Sequence, residues 1–242
     1  ECVVMSLDLL GEGFDLHCGG QDLRFPHHEN ERAQAVALGK VFANHWMHHA
    51  FLVDAEGEKM SKSLGNVLNL LDLLDQHDQR AYRMLLLQTH YRSPVRISRD
   101  NIASSERTLD GLDAFAARTA SVPTAEPDAA VLAEFRAAMD DDLDTPKATA
   151  LLFDTVRHAN AALDAGDASA PRLVAAAHAI AATFGLELGR TGDVPDDVAV
   201  LAAQLDTARA AKDFAAADAI RAELQAAGWT VETTKSGTTV RR

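Results

Sequence analysis

An α/β region followed by an all-α region is the fold class this sequence predicts, and three observations predict it. Residues 1–70 alternate short apolar runs with helix-start signals. From about residue 100, apolar positions recur at helical spacing in Ala-rich stretches. Polar breaks at 121–130, 166–170 and 189–197 divide those stretches. The expected organisation is 1–70, 71–120, 121–190 and 191–242, and 242 residues suffice for more than one domain.

Composition narrows the function classes. The hydrophobic fraction is 47%, and no run approaches the roughly 18 apolar residues of a membrane span. The start, Glu1-Cys2-Val3-Val4, has no basic, signal-like character, so a cytoplasmic protein without membrane contact is expected. It is not Met and reads as a strand, so the chain is expected to begin within a larger protein. Acidic residues outnumber basic ones 36 to 23, a formal charge of −13, which argues against an indiscriminate polyanion binder. Locally grouped arginines from Arg92 to Arg99, with Lys235, Arg241 and Arg242, still leave room for nucleic acid. With only Cys2 and Cys18, a disulfide framework is not expected.

Residues 7–10 read as a helix end at Gly11. Phe14-Asp15-Leu16-His17 reads as a buried strand and Cys18-Gly19-Gly20-Gln21-Asp22 as the turn at its carboxyl end, where open α/β sheets bind ligands. Two glycines let a flat ring or a ribose lie against bare backbone, with Asp22 placed to accept from ribose hydroxyls. Pro26 suits a first helical position in Phe25-Pro26-His27-His28-Glu29-Asn30-Glu31, with helix expected to about Leu38. His27 and Glu31 then stand four apart on one face. With Cys2 from the opening strand they form a thiolate, imidazole and carboxylate set acceptable to zinc, although such a pair also serves as a surface or helix-terminal contact.

Residues 51–53 read as a strand running into Lys59-Met60-Ser61-Lys62-Ser63, a run of ammonium, hydroxyl and backbone donors suited to phosphates. Residues 69–87 read as helices with a leucine core. Further helices are expected over 102–120, from Leu132 to Met139, then from Thr145, read as N-cap with Pro146 first in the helix, and over 173–186. The Asp140-Asp141-Asp142 run is explained by charge at a helix N-terminus. The terminal helices are 198–211 and 213–227, with Asp213 as N-cap and Gly228 as stop, before a hairpin in which Trp229 reads as core.

Lys59 to Ser63 resembles the second signature loop of class I aminoacyl-tRNA synthetases. Glu1-Cys2, Phe14 to His17, Gly19-Gly20 with Asp22-Leu23, Phe25 to Glu31, Trp46 with His48, and Lys59 to Asn66 are similar in order and spacing to the cysteinyl-tRNA synthetase family. His90-Tyr91-Arg92-Ser93-Pro94 continues the resemblance, which runs to the last residues.

The resemblance implies the second half of a Rossmann-like catalytic domain, stem-contacting helices, a tRNA-binding helical bundle and a C-terminal anticodon-reading module. It implies ATP-dependent ligation of L-cysteine to cysteine-specific tRNA through an adenylate, with Mg2+. Cys2, His27 and Glu31 would hold Zn2+ that binds the substrate thiol, a further cysteine ligand and the first catalytic half lying outside this chain. Lys62 would contact the ATP phosphates and Lys59 position them. Gly19, Gly20, Asp22 and His48 would line the adenylate site. His17 reads either as a pocket residue or as a hydrogen-bonded core histidine. Arg92, Arg96 and Arg99 read either as acceptor-stem contacts or as solvated ion pairs. A monomer, inactive by itself, is expected. Two alternatives stay open: the related cysteine ligase of mycothiol synthesis, and a non-catalytic tRNA-binding or interaction module.

Overall fold

The computed structural model describes residues 1–54, 56–58, 60, 71–72, 76–189, 196–234 and 237–241. The described chain divides into two compact units, residues 1–109 with 123–180, and residues 110–122 with 181–242.

The first unit opens with a helix, α1 (Cys2–Leu10), where the sequence suggested a strand. The reason is packing: Val3 is buried and Leu7, one helical turn on, packs with it against Ala35, Phe42 and Trp46. Gly11, at φ 83°, ends the helix and donates its N–H to the Leu7 carbonyl at 3.2 Å.

Strand β1 (Phe14–Gly20) lies parallel to β2 (Ala43–His49). It runs three residues beyond the strand read from the sequence, because Cys18, Gly19 and Gly20 stay in register with Met47, His48 and His49. A 3-10 turn (Gln21–Leu23) and a wide turn (Arg24–His28) follow, the latter with extended Phe25 and a cis bond to Pro26. Helix α2 (Glu29–Ala37) starts three residues after Pro26, once the wide turn is complete.

Strand β3 (Leu52–Val53) pairs in parallel with β4 (Val95–Arg96). Helix α3 (Gln79–Leu87) is capped by Asp78, whose carboxylate accepts from the Arg80 N–H at 2.8 Å, and it buries Ala81, Met84 and Leu85. Helix α4 (Arg99–Thr119) is followed by α5 (Ala129–Asp140), capped by Asp128, and by α6 (Thr145–Ala165). The cap of α6 is Asp144, which accepts from the Lys147 N–H at 3.1 Å. Thr145 is thus already helical, one position inside its expected role. Gly166, left-handed at φ 66°, closes α6 before α7 (Ala170–Thr183). Helices α3 and α5 both pack on α6, whose inner residues Ala148, Leu152 and Ala159 are fully buried.

The second unit carries α8 (Asp196–Ala210), α9 (Phe214–Ala226) and an antiparallel hairpin of β5 (Thr230–Thr234) and β6 (Gly237–Arg241). Asp213 caps α9 by accepting from the Ala216 N–H at 3.1 Å, and Gly228 at φ 85° follows it. Val198, Leu205, Leu224, Trp229 and Val240 form the core between helices and hairpin. Burial of each such side chain contributes about 1.5–3 kcal/mol. Asp206 ties α8 to β6 through the Thr238 N–H at 3.0 Å and hydroxyl at 2.6 Å, and the hydroxyl bond holds its pKa below the usual carboxylate value. No helix among the described residues is long and apolar enough to cross a membrane.

Candidate metal and nucleotide site

The wide turn and the first turn of α2 present residues 28, 31 and 35 inward, at spacings of three and four. A helix normally fills that stripe with apolar side chains. Here it holds His28 and Glu31, each 4% exposed, and Ala35. Buried ionisable groups require partners, and each has them. Glu31 Oε2 lies 2.8 Å from His17 Nε2, and Oε1 lies 3.5 Å from His27 Nε2. His28 Nδ1 lies 2.8 Å from His48 Nε2. No side-chain N or O among the described residues is buried without a hydrogen-bond partner.

Cys2, His27 and Glu31 offer one thiol, one imidazole and one carboxylate atom, all within 4.8 Å of one another. Zinc bonds of about 2.0–2.3 Å in a tetrahedron set ligand atoms roughly 3.3–3.8 Å apart, so a small closing movement brings this set into range. Cys2 and His27 are exposed while Glu31 is buried, leaving an open side. The donor set fits a zinc ion. His17, His28 and Glu31 also lie within 4.8 Å of one another, but in that deeper group His17 and His28 are already engaged with Glu31 and His48.

His17 is walled by Phe42 and Trp46, with ring centroids 5.2 Å and 5.0 Å away. It is half-buried, and its hydrogen bond is to the carboxylate of the candidate ligand set. His28 received no role from the sequence, yet it stands at the centre of the cluster. Burial, with His17 next, pushes its imidazole below the ordinary pKa against the opposing pull of Glu31. The signal available was its place on the inward stripe, three residues before Glu31.

Gly19 and Gly20 lie beside His48 and His49 in the parallel ladder. A methyl group at Gly19 would approach the His28 ring to 2.7 Å, and one at Gly20 would approach the Asp22 carboxylate to 2.7 Å. The glycines thus admit neighbouring side chains against the backbone. Gly19, Gly20, Asp22 and His48 sit at one strand edge beside the candidate metal ligands. Lys59 and Lys62 lie outside the described residues. Of the arginines, Arg92 forks onto Asp142, with Nε–Oδ2 2.6 Å and Nη2–Oδ1 2.9 Å, and the Arg96 guanidinium borders the turn at Gly57.

Residues 1–107 match the family described as tRNA synthetases class I (C) catalytic domain, and residues 134–189 match the DALR domain. Cysteine–tRNA ligase of Halorhodospira halophila is 44% identical over all of this chain and 54% of its own length. The cysteine–tRNA ligases of Clavibacter michiganensis and Stutzerimonas stutzeri are 44% and 42% identical, again over 54% of their lengths. The chain therefore spans about half the length of these relatives. Two solved structures share its fold. One is the Agrobacterium radiobacter LeuRS ternary complex, with TM-score 0.57 and 18% identity over 70% of this chain and 25% of that one. The other is Mycobacterium tuberculosis methionyl-tRNA synthetase, with TM-score 0.51 and 21% identity over 69% and 39%.

Proposed function

Since this chain belongs, through residues 1–107, to the class I (C) tRNA synthetase catalytic family and, through residues 134–189, to the DALR family, we propose that it contributes to charging cysteine-specific tRNA with L-cysteine. The convergence of Cys2, His27 and Glu31 beside the Gly19-Gly20 strand edge carries this reading.

In the proposed reaction ATP and L-cysteine form cysteinyl-adenylate and pyrophosphate, and the cysteinyl group then passes to a tRNA hydroxyl with release of AMP. Zinc, when bound, supplies a soft Lewis-acid anchor that prefers a substrate thiolate to a serine hydroxyl. His17 donates to Glu31 Oε2 and so orients the ligand carboxylate, as outer partners of a metal site do. The His28–His48 bond holds the end of β2 against the wide turn and fixes the floor of the cluster. Gly19 and Gly20 keep the strand edge free of Cβ atoms, and Asp22 supplies an acceptor for ribose hydroxyls. Lys62, with Lys59, is assigned by sequence to the phosphates, whose charge develops during adenylate formation. The DALR-matched helices and the α8 to β6 module are the proposed tRNA surfaces.

An outward apolar face supports the expectation of a first catalytic half. Val4, Met5, Leu9 and Leu10 on α1 and Leu16 on β1 are all at least half exposed. The test joins this chain to the preceding half of the Halorhodospira halophila relative. Cysteine-dependent ATP–pyrophosphate exchange that far exceeds the serine-dependent rate and disappears on zinc removal is expected. Equal rates with serine from a folded, zinc-loaded chimera would overturn the reading.

A further inference from the structure

The turn between α5 and α6 is held in an uncommon conformation. Asp142 and Leu143 both have positive φ, 56° and 55°, and neither is glycine. Such backbone persists where surrounding contacts impose it. Asp142 has those contacts across about fifty residues of sequence. Its carboxylate takes the Arg92 fork at 2.6 Å and 2.9 Å and accepts from the Tyr91 hydroxyl at 2.6 Å. Its carbonyl bonds His90 Nε2 at 3.1 Å. Arg92 also lies 5.0 Å from the centre of the Tyr91 ring, and His90 stacks on that ring at 4.9 Å. Three consecutive side chains thus converge on one aspartate.

The backbone of Tyr91 is bound just before β3, and the residues that follow the tripeptide pair with β3 and its neighbour Phe51. The Ala50 N–H donates to the Tyr91 carbonyl at 2.8 Å, Val95 N–H to Phe51 at 3.0 Å, and Ile97 N–H to Val53 at 2.9 Å. Arg96 borders the turn at Gly57, which is closed by Asp54 accepting from the Glu58 N–H at 2.8 Å. The next residue in sequence is Lys59. A continuous run of bonds therefore joins the α5–α6 turn to the strand pair that precedes the lysine-rich segment.

We propose that Asp142 is a positioning residue: through His90, Tyr91 and Arg92 it fixes the β3–β4 pair, and with it the segment that leads into Lys59, relative to helices α5 and α6. This rests on the function proposed above for its effect on catalysis, while the tether itself does not. Helices α5 and α6 include part of the DALR-matched region.

Amide exchange is followed by NMR in the 242-residue chain and in Asp142→Asn, which keeps shape and tolerance of positive φ but removes the charge. Arg92→Lys, which keeps charge but loses the fork, is the second variant. Arg157→Ala, which removes a surface pair within α6, is the control. Loss of protection of about tenfold at Ala50, Val95 and Ile97 is expected in Asp142→Asn, a smaller loss in Arg92→Lys, and none in the control or in α8 and α9. In the chimera, Asp142→Asn should lower the kcat of adenylate formation severalfold and leave the KM for cysteine unchanged. Unchanged exchange at the three amides in both variants would overturn the tether. Increased exchange with unaltered kcat would overturn the positioning role. A parent chimera that forms no adenylate with any amino acid would instead refute the proposed function, and exchange would still decide the tether.

Discussion

The α2 end of the first unit and the α8 to β6 module bury opposite chemistry. Between α8, α9 and the hairpin, the buried residues are Val198, Ala202, Leu205, Ala217, Leu224, Trp229 and Val240, and Asp206 makes its bonds to Thr238 at the part-buried rim. Around α2, the inward stripe holds an imidazole and a carboxylate, supported by two further histidines. The first arrangement yields stability by removing apolar surface from water. The second spends stability on groups that must be paired to be tolerated, and such groups concentrate at functional sites. The contrast separates a core of apolar side chains from a cluster of paired ionisable ones.

The contrast breaks most easily in the apolar module. Leu224 is fully buried, so Leu224→Ala should destabilise the module by about 2–5 kcal/mol in denaturant unfolding. Zinc affinity should be unaffected, and a parallel loss of zinc would erase the distinction. A smaller effect is expected at the polar site from Gly19→Ala. The added methyl meets His28 at 2.7 Å, so the ring must move, at about 1–3 kcal/mol. The His28–His48 bond should weaken, seen as altered imidazole signals by NMR, whereas a methyl accepted without change would show that the glycine serves no packing need.

The smallest effect sharpens the comparison at a third, exposed place. The Arg92 fork, then the Tyr91 hydroxyl, draw the Asp142 carboxyl down from 3.8 to about 2. A depressed folded value means the favourable contribution is complete above the ordinary carboxylate range. It is lost between about pH 4 and 2 as the carboxylate protonates. Carboxyl NMR titration of Asp142 should show this midpoint in the native chain and a return towards the ordinary range in Arg92→Lys. An unshifted midpoint in the native chain would remove the ion pair from the account.

Much of the helical architecture was legible because it depends on local signals. Asp213 as a cap, Gly228 as a stop and the terminal hairpin need only neighbouring residues. Local signals mislead where tertiary contacts decide. Cys2-Val3-Val4 has β-branched character, but burial of Val3 with Leu7 against α2 makes it helical. β1 continues through Gly19 and Gly20 because β2 supplies a partner, which a pair of glycines gives no local reason to expect. Thr145 and Asp144 are both competent caps, and the geometry of the preceding turn selects Asp144. In the site, Cys2, His27 and Glu31, proposed as ligands from their chemistry and the resemblance, lie with their ligand atoms within 4.8 Å of one another. His28 was not legible in the sequence, since a histidine among histidines carries no local mark and only the inward stripe reveals it.

Cys2, His27 and Glu31 are proposed to offer one sulfur, one imidazole and one carboxylate to a single zinc ion. Zinc K-edge absorption spectroscopy on the zinc-loaded chain, beside Cys2→Ser and Glu31→Ala, tests this most directly. One zinc per chain is expected, with a single sulfur neighbour at roughly 2.3 Å and nitrogen or oxygen neighbours at roughly 2.0–2.2 Å. Loss of the sulfur signal in Cys2→Ser and at least about 100-fold weaker zinc binding in Glu31→Ala are also expected. Zinc bound without sulfur in the native chain, or with equal affinity after Glu31→Ala, would contradict the proposal.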